Sequence, residues 1–103
     1  MERYKLGIKK EDIKKDVPVK AMAGERSIVV LEHNGRIYAM DSECTHEGGP
    51  LEDGYVDGDE LICSWHSGAF CIMNGKANEN TPWVSDTRSY NVMEDGGELF
   101  IEM

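Results

Sequence analysis

Two short segments, each offering one cysteine and one histidine, constrain this chain of 103 residues more than any other feature. They are Cys44-Thr-His46 and Cys63-Ser-Trp-His66, and sixteen residues separate His46 from Cys63. The connecting residues include two Asp-Gly dipeptides, which are typical of tight turns. A hairpin of this length can bring the two segments side by side, so that four side chains enclose a metal centre. The predicted ligands are Cys44, His46, Cys63 and His66.

The donor atoms leave two kinds of metal centre open. Two cysteines and two histidines suit a structural zinc ion. Zinc fingers, however, usually group the cysteines at one end and the histidines at the other. Here each segment mixes the two types, which suits a two-iron centre in which each segment sends its cysteine to one iron and its histidine to the other. The residues favour the iron centre and leave a zinc module as the alternative.

The rest of the sequence has the pattern of β-structure. Tyr4, Leu6 and Ile8 alternate with polar residues, as in a half-buried strand. Asn34-Gly35 joins two apolar runs and favours a type I′ hairpin turn. Residues 41–83 are rich in glycine and turn formers, with short apolar pieces between them. We therefore predict an all-β fold of one domain, residues 1–103, with a loop-rich subdomain at about 41–83 inserted between the outer strands.

Charge and hydropathy exclude several classes of partner. The formal net charge is −9, which disfavours nucleic acid and is compatible with a basic protein partner. The longest uncharged apolar run has four residues, and the N-terminal segment is too charged for a secretory signal. Three cysteines without an export signal are expected as thiols or metal ligands. The expectation is a cytoplasmic protein that binds neither membrane nor nucleic acid.

Four further side chains near these motifs have expected roles that are structural and not functional. His33 lies beside the predicted hairpin turn and is expected on the surface of a strand, without a ligand role. Cys71 is expected to be a buried thiol. Trp65 and Trp83 flank the loops, and burial in the local core is favoured for both over a role in shielding the metal, and for Trp65 also over a role in docking.

With these motifs, the sequence resembles the Rieske ferredoxins. Their pattern is Cys-x-His, a spacer of similar length and Cys-x-x-His. Residues 44–54 and 63–70 match it closely, and Asn74-Gly75 and Pro82 fit the family's following turn and third loop. Ser67 departs from it, since family members often have glycine there. The resemblance implies a Rieske-like antiparallel β sandwich with one [2Fe–2S] cluster. It places Cys44 and Cys63 on the inner iron, and His46 and His66 on an outer iron near the surface.

The resemblance also implies a function. A fully ligated cluster has no open position for a substrate, so an electron carrier is expected rather than an enzyme. The chain has no room for the catalytic domain of an oxygenase. It resembles monomeric ferredoxins that pass electrons from a flavin reductase to a terminal oxygenase. A small subunit fixed to an enzyme, such as a nitrite reductase-like assembly, is the alternative.

The resemblance extends to the reduction potential. High-potential family members carry a serine and a tyrosine whose hydroxyls donate to cluster sulfurs, and a disulfide between the two loops. At the matching positions this chain has Gly68 and Phe70, and Gly49 and Trp65. Fewer donors to sulfur favour the oxidised form. The implied potential lies in the lower part of the Rieske range, at about −150 to 0 mV.

Overall fold

The computed structural model describes residues 2–45, 48–65 and 67–103. These residues form ten strands and two 3₁₀ helices, Lys10–Asp12 and Leu51–Asp53, which confirms the all-β prediction. No helix within the described ranges is long and apolar enough to cross a membrane. The strands are β1 (Arg3–Lys9), β2 (Val19–Ala23), β3 (Arg26–His33), β4 (Arg36–Asp41), β5 (Tyr55–Asp57), β6 (Glu60–Ile62), β7 (Ala69–Cys71), β8 (Ser89–Tyr90), β9 (Val92–Asp95) and β10 (Glu98–Glu102).

The strands form three antiparallel sheets. The outer sheet has the order β1–β10–β9, the central sheet β2–β3–β4–β8, and the inserted sheet β5–β6–β7. The inserted sheet lies in sequence between β4 and β8, which are neighbours in the central sheet. The backbone N–H of Asp41 donates to the carbonyl of Arg88 at 3.0 Å, where the chain leaves the central sheet and returns to it. The predicted arrangement, an insert between outer strands, is confirmed.

The central sheet is covered on both faces because β3 is apolar on both. Val29 and Leu31 belong to a core shared with the inserted sheet, and Ile28 and Val30 to a core shared with the outer sheet. All four are fully buried. Successive strand residues point to opposite faces, so one uninterrupted apolar run serves two cores.

The hairpin between β3 and β4 has the predicted turn. Asn34 and Gly35 both have positive φ, 52° and 82°, as a type I′ turn requires. The strands pair in register from Ile28 opposite Asp41 to His33 opposite Arg36. This hairpin carries loop 1 (residues 42–50) at its far end, where β4 stops.

The two ends of the chain pair with each other in the outer sheet. The N–H of Glu2 donates to the carbonyl of Met103 at 3.1 Å, and the N–H of Met103 donates back to Glu2 at 3.0 Å. Leu6, Leu99 and Ile101 fill the core against the central sheet. The pairing of β1 with β10 thus extends one residue beyond each strand, to Glu2 and Met103.

The predictions for His33 and Cys71 are wrong. His33 is buried, with 5% of its surface exposed, because segments distant in sequence fold over it. Cys71 is only partly buried. It lies on β7 between the fully buried Phe70 and Ile72, so its side chain points away from the core that they fill.

Candidate metal centre

Loop 1 presents Cys44 three residues after the end of β4. The N–H of Cys44 donates to the carbonyl of Gly49 at 2.7 Å, and the N–H of Gly48 donates to the carbonyl of Cys44 at 2.9 Å. These bonds fold the loop back on itself. Only 3% of Cys44 is exposed, so the side chain is directed into the core and not toward solvent.

Loop 2 (residues 63–68) presents Cys63 directly after β6. The N–H of Cys63 donates to the carbonyl of Gly68 at 2.8 Å. Loop 1 makes the same bond, from the cysteine N–H to the carbonyl five residues later. Only 1% of Cys63 is exposed. The two loops are similar turns that each hold one cysteine inward.

The structure brings the two cysteines together in one buried cluster with Phe70, Val84 and apolar residues of the central sheet. Burial is the main cause that raises the pKa of the Cys63 thiol to about 11; the neighbouring Cys44 also raises it, and the backbone N–H of Trp65 lowers it. Apolar surroundings disfavour two free thiolates. A positively charged centre that replaces the protons removes this cost, so the pair fits a metal group that binds cysteine sulfur.

Three contacts fasten the loops to each other and to loop 3 (residues 78–88). A Cβ added at Gly49 would lie 2.9 Å from the indole of Trp65, so this ring lies directly on the backbone of loop 1. A Cβ added at Gly68 would lie 2.6 Å from Cγ1 of Val84. Loops 1 and 2 therefore meet at Gly49, and loops 2 and 3 meet at Gly68.

The third contact is a pair of hydrogen bonds between loops 1 and 3. The hydroxyl of Thr45 donates to the carbonyl of Ser85 at 2.7 Å and accepts from the N–H of Ser85 at 3.0 Å. Thr45 is the residue between the predicted ligands Cys44 and His46. The first ligand segment is thus held from both sides, by its own turn and by loop 3.

Trp65 and Trp83 are exposed, which contradicts their predicted burial. Their exposed fractions are 49% and 44%. The space beneath the loops is already filled by aliphatic side chains and Phe70, and the indole of Trp65 covers Gly49 from outside. The exposure of Trp65 fits a role in docking, which the sequence favours less than burial.

The histidines of the two segments, His46 and His66, lie outside the described residues, as does Glu47. Their role as ligands stays a prediction. Ser67, the residue that departs from the family pattern, has a positive φ of 59°. Glycine adopts this conformation at little cost, which accounts for its frequency there.

Among the described residues, which do not include His46 and His66, no group of three or more His, Cys, Asp or Glu side chains is arranged to hold a metal ion. The buried pair of Cys44 and Cys63 makes the loops around them the candidate site. None of the three cysteines, all of them described, forms a disulfide.

Comparison with known proteins identifies the class that this fold and site define. The family model of the Rieske [2Fe-2S] domain matches residues 4–91, and the chain belongs to this family. This match confirms the predicted resemblance and disfavours the zinc alternative. Membership implies an iron–sulfur cluster, and the paired buried thiols fit such a group.

Particular relatives are electron-transfer components. The chain is 32% identical, over 90% of its length and 88% of the relative's, to the ferredoxin component of naphthalene 1,2-dioxygenase/salicylate 5-hydroxylase systems from Ralstonia sp.. It is 35% identical, over 72% of its length and 70% of the relative's, to the ferredoxin component of a 2,4-dinitrotoluene dioxygenase system from Burkholderia sp. strain RASC.

Among solved structures, the ferredoxin of Sphingomonas yanoikuyae B1 superimposes with a TM-score of 0.88 and 27% identity, over 99% of both chains. The relatives are ferredoxin components, which confirms the prediction of an electron carrier rather than an enzyme. They disfavour the alternative of a subunit fixed to a reductase.

Proposed function

We propose that Cys44, His46, Cys63 and His66 hold one [2Fe–2S] cluster, with the cysteines on the inner iron and the histidines on the outer one. The observation that carries this proposal is the buried pair Cys44 and Cys63 at the ends of two interlocked loops. When bound, the cluster supplies one-electron redox chemistry. The chain's own residues exclude water from the sulfurs and fix the loop geometry.

The proposed role is a diffusible, monomeric carrier in the cytoplasm that passes electrons from a flavin reductase to a terminal oxygenase. It is supported by the relatives, which are ferredoxin components of dioxygenase systems. In this proposal residues 1–103 act as one domain, and residues at about 41–83 form its cluster-binding subdomain.

We propose that redox partners dock on the loops. Trp65 and Trp83 offer exposed apolar surface there, whereas most large apolar side chains of the fold are buried. Glu43 and Asp53 are exposed and Glu52 is partly buried. With Glu47, which lies outside the described residues, these carboxylates make up the acidic collar that the sequence suggests around the first ligand segment. Such a surface suits a basic partner with an apolar centre.

The ligand assignment is tested by replacing each proposed ligand in turn. In Cys44→Ser, Cys63→Ser, His46→Ala and His66→Ala, we expect loss or conversion of the cluster, because each side chain supplies one terminal iron bond. Iron and sulfide content, visible absorption and the Rieske-type EPR signal measure this.

Cys71→Ser is the matched control, because Cys71 lies on β7 with its side chain directed away from the buried cysteine pair. We expect the same EPR signal and iron content as in the wild type. The assignment is wrong if Cys71→Ser loses the signal while Cys44→Ser keeps it.

A further inference from the structure

His33, the last residue of β3, is bonded through both of its ring nitrogens to carboxylates. Nδ1 lies 2.7 Å from Oδ1 of Asp16, and Nε2 lies 2.8 Å from Oδ1 of Asp59. The side chain of His33 is 6% exposed, compared with 35% for Asp16 and 62% for Asp59. A buried imidazole is therefore held between two carboxylates that reach solvent.

The two bonds define the protonation state of the ring. An ionised carboxylate only accepts hydrogen bonds, so each ring nitrogen must carry a proton and donate. The hydrogen bonds to Asp59 and then Asp16 raise the pKa of His33, and burial opposes them. Of the other nearby charged side chains, Glu32 precedes His33 on β3 and Arg36 faces it across the hairpin on β4. The arrangement is that of an imidazolium.

The three residues come from three separate parts of the fold. Asp16 lies in the bend before β2 and has a positive φ of 57°; its N–H donates to the carbonyl of Glu32 at 2.7 Å. Asp59 lies in the turn between β5 and β6, and its carbonyl accepts from the N–H of Ile72 at 2.9 Å. His33 on the central sheet thus joins the bend before β2 to the inserted sheet.

We propose that the imidazolium of His33 is a pH-sensitive ionic link that holds the inserted sheet against the central sheet. Its attachment point, Asp59, precedes β6, and Cys63 follows β6, so the strand is anchored at one end by an ion pair and leads at the other into loop 2. The proposal involves no candidate metal ligand and stands apart from the proposed redox function.

When the ring of His33 loses one of its two protons, one of the two attractive interactions with a carboxylate becomes repulsive. A neutral imidazole has one N–H, so its second nitrogen turns a lone pair toward a carboxylate oxygen. Because the folded-state pKa is raised, the stabilisation is fully present below the ordinary value of about 6.5 and is lost as the pH rises through the higher folded value. The inserted sheet is held more tightly in mildly acidic than in alkaline solution.

Hydrogen exchange of the holoprotein, followed by mass spectrometry and corrected for the pH dependence of the intrinsic exchange rate, tests this ionic link. In the wild type, we expect protection of residues 59–72 to fall about tenfold as the pH rises through the folded pKa of His33, as for loss of one charged hydrogen bond. Protection of the hairpin of β3 and β4 should not change in this way. In His33→Gln, protection of residues 59–72 should be low at every pH.

A second variant keeps the test decisive if His33→Gln does not fold. Asp59→Asn keeps an acceptor for Nε2 and removes a charge, so the loss of protection should move to lower pH. Asp57→Asn, which changes an exposed carboxylate at the end of β5 beside this turn, is the matched control and should behave as the wild type. The proposal is overturned if NMR shows a singly protonated His33 ring at pH 6, or if His33→Gln retains the wild-type pH dependence.

Discussion

At the residue scale, Phe70 and Gly68 leave the cysteine sulfurs without hydroxyl donors, because neither Phe70 nor Gly68 carries a hydroxyl. Phe70 is fully buried in the same cluster as Cys44 and Cys63. We expect Phe70→Tyr to raise the reduction potential by about 40 mV, because one hydrogen bond of about 1 kcal/mol to a sulfur favours the more negative, reduced form. Protein-film voltammetry at neutral pH measures the change.

Two controls make this prediction specific. Phe100→Tyr on β10 adds a hydroxyl far from the loops and should leave the potential unchanged. Gly68→Ser is a poor probe, because a Cβ there would lie 2.6 Å from Val84 Cγ1. A Phe70→Tyr potential at or below the wild-type value would remove the mechanism. A wild-type potential near +300 mV would contradict the predicted lower range of about −150 to 0 mV.

Individual residues were predictable where their role is local. The Asn34-Gly35 turn follows from backbone preferences of two neighbours, and the meeting of Cys44 and Cys63 follows from the short hairpin between them. The burial of His33 does not follow from the sequence in this way, because its partners Asp16 and Asp59 are 17 and 26 residues away. No local pattern marks such a pair. The exposure of Trp65 depends on the packing of its ring on Gly49, which is likewise a contact between two loops.

At the scale of elements, loop 1 depends on loop 3 for its position. Thr45→Val removes both side-chain bonds to Ser85 with little change in shape. We expect a loss of about 0.5–1.5 kcal/mol in the free energy of unfolding, because Ser85 is exposed and water replaces part of the lost hydrogen bonding. Urea unfolding of the holoprotein gives this value.

Thr45→Ser keeps the hydroxyl and is the control for this loop contact. It should retain nearly the wild-type stability and absorption spectrum. If Thr45→Val and Thr45→Ser are equally stable, the contact between loops 1 and 3 contributes nothing, and the packing of Val84 on Gly68 alone positions loop 3.

Strand positions were largely predictable from alternation and turn residues, but the stacking of the sheets was not. The alternation around Leu6 marks β1, which pairs with β10 at the other end of the chain. The run at residues 28–31 is equally apolar on both faces, and only the structure shows that each face serves a different core. Pairing between distant strands is determined by packing, which short-range patterns do not record.

At the scale of the whole molecule, charge is strongly divided. Residues 1–36 hold nine basic and six acidic side chains, whereas residues 37–103 hold two basic and fourteen acidic ones. The inserted sheet and the loops belong to the acidic part. We expect electron transfer from the reduced holoprotein to cytochrome c, a basic redox protein, to slow by about tenfold from low to high salt, since salt screens steering. Stopped-flow absorption measures the rate.

Variants locate the source of this salt dependence. Glu43→Gln, on an exposed residue of loop 1, and Asp53→Asn, on an exposed residue shortly after it, should weaken this dependence, whereas Asp95→Asn on β9 should not. A rate that stays flat across ionic strength would mean that the acidity serves solubility alone.

The pairing of Glu2 with Met103 has a consequence for synthesis on the ribosome. In the part of the chain that the structure describes, β1 pairs with β10, so β1 stays without this neighbour until β10 has emerged. The hairpins of the central and inserted sheets need only residues already translated. Both cysteine loops can therefore form before β10 completes the outer sheet, and the pairing of β10 with β1 follows them in the order imposed by translation.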